Sequence, residues 1–337
     1  MAPRALLIDT DGAADDVVAL MMAARAPDVR LVAVTVVAGT VGVEVAARNV
    51  RACLALAGCN APVVAGAAAS LERGHRDGQG YHGVDGISGL SGVGSAGEPR
   101  SGHRFALPEL PAPVAEADDA AQTIAHLMAT EHDLVIVTLG PLTNLARALR
   151  VAPQAHRHAV ARCVVMGGAP DGDGNMTPFA EYNFWADPEA ADEVMASGLP
   201  IELVGWKLSR GAAQLTAQEA SRLATSDSAL ARFAVAANQA ARDATRAESG
   251  EDKVPLPDAV AMAIALDPAV ATHWSEHLVR VEESDEAKSG ATILTPATLH
   301  HSAMLSAPPP SAVPVRVCET IDDSRWKTIL FNALGLR

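Results

Sequence analysis

The chain is poor in aromatic residues and its cysteines do not cluster. Phe, Trp and Tyr make up 3% of 337 residues, whereas the hydrophobic fraction is 49%, so a large core has to be built mainly from Ala, Val and Leu. Cys53, Cys59, Cys163 and Cys318 are scattered without the pairing that is typical of zinc sites. We therefore expect them to be small packing residues in a reducing compartment.

Long apolar runs are also absent. No stretch is long enough to span a bilayer, and Met1–Arg4 leads into a predicted strand with no secretory signal pattern. The formal net charge of −14 disfavours nucleic acid and anionic membranes as partners. These absences predict a cytoplasmic protein that binds neither nucleic acid nor a membrane.

Strand and helix patterns alternate along the chain. The runs Arg4–Asp9 and Leu31–Val37 are continuous and apolar, and the helical patterns Asp15–Arg25 and Val43–Ala57 follow them. Such alternation is typical of βαβ units. We predict an α/β fold: one large domain over residues 1–337, with a mainly parallel central sheet of the open Rossmann type, flanked by helices.

Two segments do not fit this alternation. Residues 70–113 are rich in Gly, Ser, Pro and charge, and residues 247–254 form a short polar bridge after the helical pattern Thr216–Arg246, which we expect to break near residues 226–228. Both segments are predicted to be irregular and lid-like. A disordered insertion is the alternative for the first.

Four carboxylates crowd the first predicted strand-to-helix turn, at Asp9, Asp11, Asp15 and Asp16. Carboxylates packed this closely repel one another and lose hydration when buried. A hard divalent cation with oxygen ligands relieves both problems, so the turn predicts a Ca²⁺ or Mg²⁺ site. The alternative is that these are turn residues and helix N-terminal acids without a metal.

More polar residues follow other predicted strands at the same end of the sheet, where open parallel sheets bind their ligands. They are Thr40 after the second strand, the run Leu139–Asn144 after the strand Leu134–Thr138, and Asn175, Glu181 and Asn183 after the strand ending at Met166.

The motifs occur in an order that resembles the inosine-uridine preferring nucleoside hydrolases, a family of calcium-dependent N-ribohydrolases. The matching segments are Asp9–Ala19, Val36–Thr40, Arg48-Asn49, His82-Gly83, Leu139–Ala146, Met166–Gly168, Gly174-Asn175, Glu181, Asn183, Asp187–Ala191 and Pro257–Ala261. The resemblance implies a nucleoside-hydrolase-like fold and hydrolysis of ribonucleosides to ribose and free base. It also implies a role in nucleoside salvage and a homodimer or homotetramer.

The resemblance implies a role for each matching position. Asp11 is the general base that deprotonates a calcium-bound water. The metal ligands are Asp11, Asp16, Asp258 and the backbone carbonyl of Leu139, and the ribose contacts are Asp15, Asn175, Glu181, Asn183 and Asp258. Carboxylates around the sugar would also stabilise an oxocarbenium-like transition state.

The chain departs from the family pattern at the leaving group. Pro257 stands where many members have a histidine that protonates the base, and Thr40 replaces an Asn that contacts the substrate. His82 is a candidate acid and Tyr81 a candidate stacking ring; the neighbouring His75 is expected to be an exposed loop residue. Because purines can leave after protonation at N7, the sequence favours purine nucleosides.

Two other functions stay open. Asp9-Thr10-Asp11-Gly12 also matches the opening of haloacid-dehalogenase-type phosphatases, with Asp9 as nucleophile. A degenerate member of the family could instead bind a ribosyl ligand without cleaving it, and Pro257 and Thr40 are the support for that alternative.

Overall fold

The computed structural model describes residues 3–91, 120–152, 159–211, 213–297 and 313–336. Its strands are β1 (Arg4–Thr10), β2 (Val29–Val36), β3 (Val63–Ala65), β4 (Leu134–Thr138), β5 (Val160–Met166), β6 (Ile201–Val204), β7 (Gln214–Thr216), β8 (Lys253–Pro255), β9 (Ala271–Val281), β10 (Thr292–Pro296) and β11 (Val315–Ile321). Its α-helices are α1 (Ala14–Ala24), α2 (Val43–Leu56), α3 (Gln79–His82), α4 (Ala120–Thr130), α5 (Thr143–Val151), α6 (Tyr182–Ala186), α7 (Pro188–Met195), α8 (Ala217–Ala224), α9 (Ala229–Ala237), α10 (Gln239–Ser249), α11 (Pro257–Leu266) and α12 (Asp323–Ala333). Short 3₁₀ helices cover Trp206–Arg210, Pro268–Val270 and Glu286–Lys288.

Nine of these strands form one sheet in the order β10-β9-β11-β6-β5-β4-β1-β2-β3. All pairings are parallel except those of β9, which runs antiparallel to β10 and β11. The chain leaves β1 towards β2 and β3 on one side and returns to β4 on the other. This reversal of strand order between β1 and β4 opens a crevice at the carboxyl ends of both strands, as the sequence predicts.

The packing on both faces of β1 explains why its apolar run is continuous. Leu6 and Ile8 pack into one hydrophobic cluster, while Ala5 and Leu7 pack into a second cluster. A strand with both faces covered has no polar face to alternate with. The predicted α/β class and mainly parallel sheet are therefore confirmed.

The second half of the chain differs in detail from the prediction. The helical pattern over 216–246 contains two breaks and not one, because a second helix ends at Ala237 and a third begins at Gln239. Helix α11 was not predicted, and all but the last of its residues are buried. The segment 247–254 is more regular than predicted: Lys253 and Val254 pair with Thr216 and Leu215 in the small β7-β8 sheet.

The first irregular segment is described only to residue 91, and its remainder to residue 113 lies outside the described residues. Within the described part, the short helix α3 brings Tyr81 and His82 to one place. None of the described helices is both long enough and apolar enough to cross a membrane.

Candidate active site

A cavity of about 750 Å³ opens at the carboxyl ends of β1 and β4. We call one part of its lining the floor, formed by Asp11, Asp15, Asp16, Leu139, Asn175, Glu181, Asn183 and Asp258, and the other part the wall, formed by Tyr81, His82, Trp206, Gln214, Thr245, Glu248 and Pro257. Thr40 also lines the cavity. Every catalytic, metal-binding and ribose-binding residue that the resemblance implies therefore lines this one cavity, together with Tyr81 and His82, whereas Asp9 of the first turn does not.

The turn after β1 aims Asp11 towards the end of β2. The backbone N–H of Thr40 donates to Asp11 Oδ2 at 2.6 Å. A Cβ atom at Gly39 would lie 2.3 Å from the same oxygen, so this close approach requires glycine. Gly12 has a φ of +66°, in the left-handed region that glycine adopts without strain. The sequence Gly12-Ala13 therefore forms the turn with the glycine one position earlier than in the family pattern.

Three buried carboxylates meet at the floor. Asp15, Asp16 and Asp258 each offer an oxygen, and these oxygens lie within 4.8 Å of one another. Asp15 and Asp16 come from the first turn of α1, whereas Asp258 comes from the first turn of α11. The long-range packing of these two helices creates the cluster.

Burial raises the pKa of all three carboxyl groups, and repulsion between neighbouring carboxylates raises it further. Within the described part of the chain, no lysine or arginine lines the cavity to offset this charge. An all-oxygen donor set with uncompensated negative charge fits a divalent cation of the calcium or magnesium type. The residues present therefore fit the group that the sequence implies.

The other predicted ligands are arranged around this cluster. Thr10 Oγ1 and the Ala13 N–H donate to Asp16, which fixes its side chain. The carbonyl of Leu139 accepts a hydrogen bond from Asn183 Nδ2 at 3.2 Å. Asp11 lies outside the three-carboxylate group, although its charge contributes to the raised pKa of Asp16.

Asp9 is separate from the cavity. Its Oδ1 accepts hydrogen bonds from Thr35 Oγ1 at 2.6 Å and Asn144 Nδ2 at 2.8 Å, and it is 1% exposed. Burial raises its pKa to about 7. A nucleophile has to face the substrate, and Asp9 does not line the cavity. This geometry counts against the phosphatase alternative.

Glu181 is held by backbone N–H groups. Its Oε1 accepts from Asn183 at 2.9 Å, and its Oε2 accepts from Gly168 at 2.8 Å. These bonds lower the pKa of the carboxyl group, but burial outweighs them and raises it to about 7. Asn175 is the most open of the predicted ribose contacts, and its Oδ1 accepts from the Tyr182 N–H at 2.9 Å.

The wall is assembled from separate elements. Tyr81 on α3 shares a hydrogen bond with Thr245 on α10, with 3.0 Å between their oxygens. The rings of Tyr81 and His82 meet edge to face at a centroid distance of 5.0 Å. Two buried atoms of the wall, His82 Nδ1 and Gln214 Oε1, have no hydrogen-bond partner among the described residues.

Several residues that line the wall were missed from the sequence, namely Trp206, Gln214, Thr245 and Glu248. The spacing of Thr245 and Glu248 places them on one face of a helix, which is a signal that sequence reasoning can use. Trp206 and Gln214 carry no such signal.

The expectation for His75 also has an outcome. His75 is an exposed loop residue, as expected, and its Nε2 lies 2.7 Å from the carbonyl oxygen of Gly39. Arg242 makes a two-point ion pair with Asp252 at 2.6 and 2.9 Å, and Arg246 contacts the same carboxylate at 2.8 Å. These pairs hold α10 to the segment that leads into β8.

Comparison with known proteins shows the family of the chain. The chain is 36% identical to the pyrimidine-specific ribonucleoside hydrolase RihB of Escherichia coli over 209 residues, which cover 62% of this chain and 61% of that protein. A plant nucleoside hydrolase structure superimposes with a TM-score of 0.84 at 28% identity, over 99% of this chain and 100% of its own. A purine-preferring ribonucleoside hydrolase from Gardnerella vaginalis has the same fold, with a TM-score of 0.82 at 24% identity over 98% of both chains. The inosine-uridine preferring nucleoside hydrolase family matches residues 6–328, and the chain belongs to that family.

Proposed function

We propose that this protein hydrolyses the N-glycosidic bond of ribonucleosides to give ribose and the free base. The observation that carries the proposal is the floor, where buried carboxylates from two helices converge beside polar groups that suit sugar hydroxyls. Family membership supports the same activity.

Each floor residue has a proposed task. Asp11 accepts the proton of the attacking water, and its own oxygen is positioned by the Thr40 N–H. Asp15, Asn175, Glu181 and Asn183 bind the ribose hydroxyls, with Asp258 nearby. Buried groups of this kind reject sugars that lack a hydroxyl, because a polar atom would then lose its partner.

Ca²⁺ is the proposed cofactor, held by Asp11, Asp16, Asp258 and the Leu139 carbonyl. When bound, it would lower the pKa of a water molecule and hold the sugar diol. The close contact of Asp15 with Asp16 and Asp258 adds a further carboxylate to this ligand set.

Fewer residues are proposed for the leaving nucleobase than for the ribose. Pro257 lines the cavity beside Asp258 and has no proton to donate. His82 is the proposed acid and Tyr81 the proposed stacking ring. We propose that purine nucleosides are cleaved faster than pyrimidine nucleosides, although one relative is named as pyrimidine-specific.

Ribose release from inosine, guanosine, adenosine, uridine and cytidine tests the proposal. We expect release from several of them, with kcat/KM for inosine above that for uridine. A uridine value equal to or above the inosine value would contradict the purine preference. Binding without ribose release from any of the five would favour the ribosyl-binding alternative, which Pro257 and Thr40 support. We further propose a cytoplasmic homodimer or homotetramer in nucleoside salvage.

A further inference from the structure

Apart from His82, the ionisable side chains with a full charge that line the cavity in the described part of the chain are all carboxylates. Within the residues that the structure describes, the cavity contains no lysine or arginine. Four carboxylates of the floor belong to the proposed calcium site and its immediate surroundings. The remaining three are Glu181, Glu248 and Glu251.

Glu248 is the carboxylate at the wall that stays unneutralised. It lies in the last turn of α10, and no ion pair of its side chain occurs within the described ranges, whereas Glu251 pairs with Lys253 Nζ at 2.8 Å. The charge of Glu248 acts within the cavity: after burial, it is a cause of the raised pKa of the Tyr81 hydroxyl. A ligand beside Tyr81 would therefore experience the same negative charge.

A second polar group of the wall, the Gln214 side chain, lacks a hydrogen-bond donor. Gln214 Oε1 is buried in the wall without a hydrogen-bond partner among the described residues. A buried unpaired acceptor is costly until a ligand supplies an N–H or O–H group. The aromatic rings of Tyr81 and Trp206 line the same cavity, and ring faces attract cations.

Resting on the nucleoside hydrolase function proposed above, we propose that this site is adapted to ribonucleosides whose base carries a positive charge and an amino group. Glu248 is the specificity-determining residue for the charge, and Gln214 Oε1 accepts from the amino group. Ring-methylated adenosine and cytidine have this chemistry.

A cationic base also needs no acid in order to leave, so neither a histidine at position 257 nor His82 has to donate a proton. The C1′–N bond breaks and its electron pair moves to the ring nitrogen, so the cationic base leaves as a neutral molecule. The hydroxide part of water bonds to C1′, and the remaining proton passes to Asp11. A neutral base would have to take up a proton as it leaves; Pro257 cannot supply one, and His82 is the proposed donor.

Matched nucleosides separate charge from the other features. At pH 7, 1-methyladenosine and 3-methylcytidine are cations, whereas 1-methylinosine and 3-methyluridine are neutral with the same methyl group. The unmethylated pairs adenosine–inosine and cytidine–uridine report the amino group without the charge. We expect the cation-to-neutral ratio of kcat/KM to exceed the ratio of the unmethylated pair by about tenfold or more, since an ionised partner strengthens the contact and the leaving group needs no proton.

Variants test whether Glu248 is the cause, because the intrinsic reactivity of each nucleoside cancels between proteins. We call the cation-to-neutral ratio of kcat/KM, divided by the ratio of the unmethylated pair, the excess ratio. Glu248→Gln should lower the excess ratio by about threefold, a size suited to a solvent-accessible charge pair. Asp243→Asn, which makes the same charge change on the same helix outside the cavity, should leave it unchanged. Gln214→Leu should lower the amino-to-oxo ratio of the unmethylated pairs.

The outcomes are distinguishable. Cleavage of the neutral nucleosides with no excess for the cations would overturn this inference and leave the proposed function standing. An excess that is equal in the wild type, Glu248→Gln and Asp243→Asn would likewise overturn the role of Glu248. Release of ribose from none of the eight nucleosides would overturn both proposals.

Discussion

The floor and the wall of the cavity differ in how their polar groups are held. On the floor, the Asp16 and Glu181 side chains accept two or more hydrogen bonds each, mainly from backbone N–H groups of the same turn or an adjacent loop. On the wall, His82 and Gln214 each keep a buried atom without a partner in the described structure. The floor is thus organised before a ligand arrives, whereas the wall has hydrogen-bonding capacity left for the ligand.

This difference follows from the elements that carry the two parts. Apart from Asn175, which lies in the loop between β5 and α6, the floor residues lie at strand ends and at helix N-termini, next to the central sheet. Most wall residues come from the four-residue helix α3, from α10 and from the small β7-β8 sheet, whereas Trp206 begins a 3₁₀ helix and Pro257 is the first residue of α11. Under the proposed function, the sugar and water chemistry therefore depends on the floor, and the choice of base depends mainly on elements outside the central sheet.

Removal of the metal from the floor should have the largest effect on activity. We expect treatment with the chelator EGTA to abolish ribose release and added Ca²⁺ to restore it, because the site loses its means of activating water. The thermal unfolding midpoint should also fall by several degrees on chelation, since binding at about 100 times Kd contributes about 2.7 kcal/mol. Calcium titration of Asp258→Asn should show a smaller rise in the midpoint. An identical midpoint with and without Ca²⁺ would argue against a metal site here.

Replacement of Asp11, the proposed general base, should have the second largest effect. Asp11→Asn keeps the size of the side chain and an oxygen for the Thr40 N–H, but it cannot accept the proton of water. We expect kcat to fall by about 10²-fold or more, while calorimetry still detects calcium binding. Near-normal turnover in this variant would remove Asp11 from the general-base role.

The sequence was a good guide to the floor because most of its residues lie in short local motifs. Asp11, Asp15 and Asp16 occupy one turn, and Glu181 and Asn183 are two residues apart. Asp258 lies far from them in sequence, and only the resemblance to a family placed it in the site. The structure brings it there through α11, a helix that sequence periodicity did not reveal because it is buried all round.

The wall could not be assembled from local patterns. Its position depends on the break between α9 and α10, where Asn238 Nδ2 donates to the carbonyls of Ala14 at 2.7 Å and Ala234 at 2.9 Å. A single Asn in a helical pattern does not indicate a contact with a distant part of the chain. Gln214 and Trp206 reach the cavity only through the pairing of β7 with β8 and the loop that precedes β7.

His82→Gln tests whether the wall takes part in catalysis. An acid acts mainly in the transition state, so we expect kcat to fall by about tenfold with KM within about twofold of the wild-type value. His132→Gln, an exposed histidine outside the cavity, is the matched control. A rise in KM with unchanged kcat would make His82 a binding residue and leave the leaving group without a proton donor on the wall.

The smallest effect concerns the pH dependence of the metal-free floor. Burial raises the pKa of Glu181 to about 7 from 4.5, so between these pH values the folded protein holds a proton that the unfolded chain has lost. The free energy of unfolding should therefore decrease as the pH rises through this window.

With EGTA present, we expect the unfolding midpoint of the wild type to fall more between pH 5 and pH 7 than that of Glu181→Gln, which has no carboxyl group to ionise. Other floor carboxylates titrate in both proteins, and the difference between the two slopes isolates Glu181. Glu248→Gln, which removes an exposed carboxyl group from the wall, serves as the control. Equal slopes for all three proteins would mean that Glu181 is already ionised at pH 5, and that its backbone N–H bonds outweigh the cost of burial.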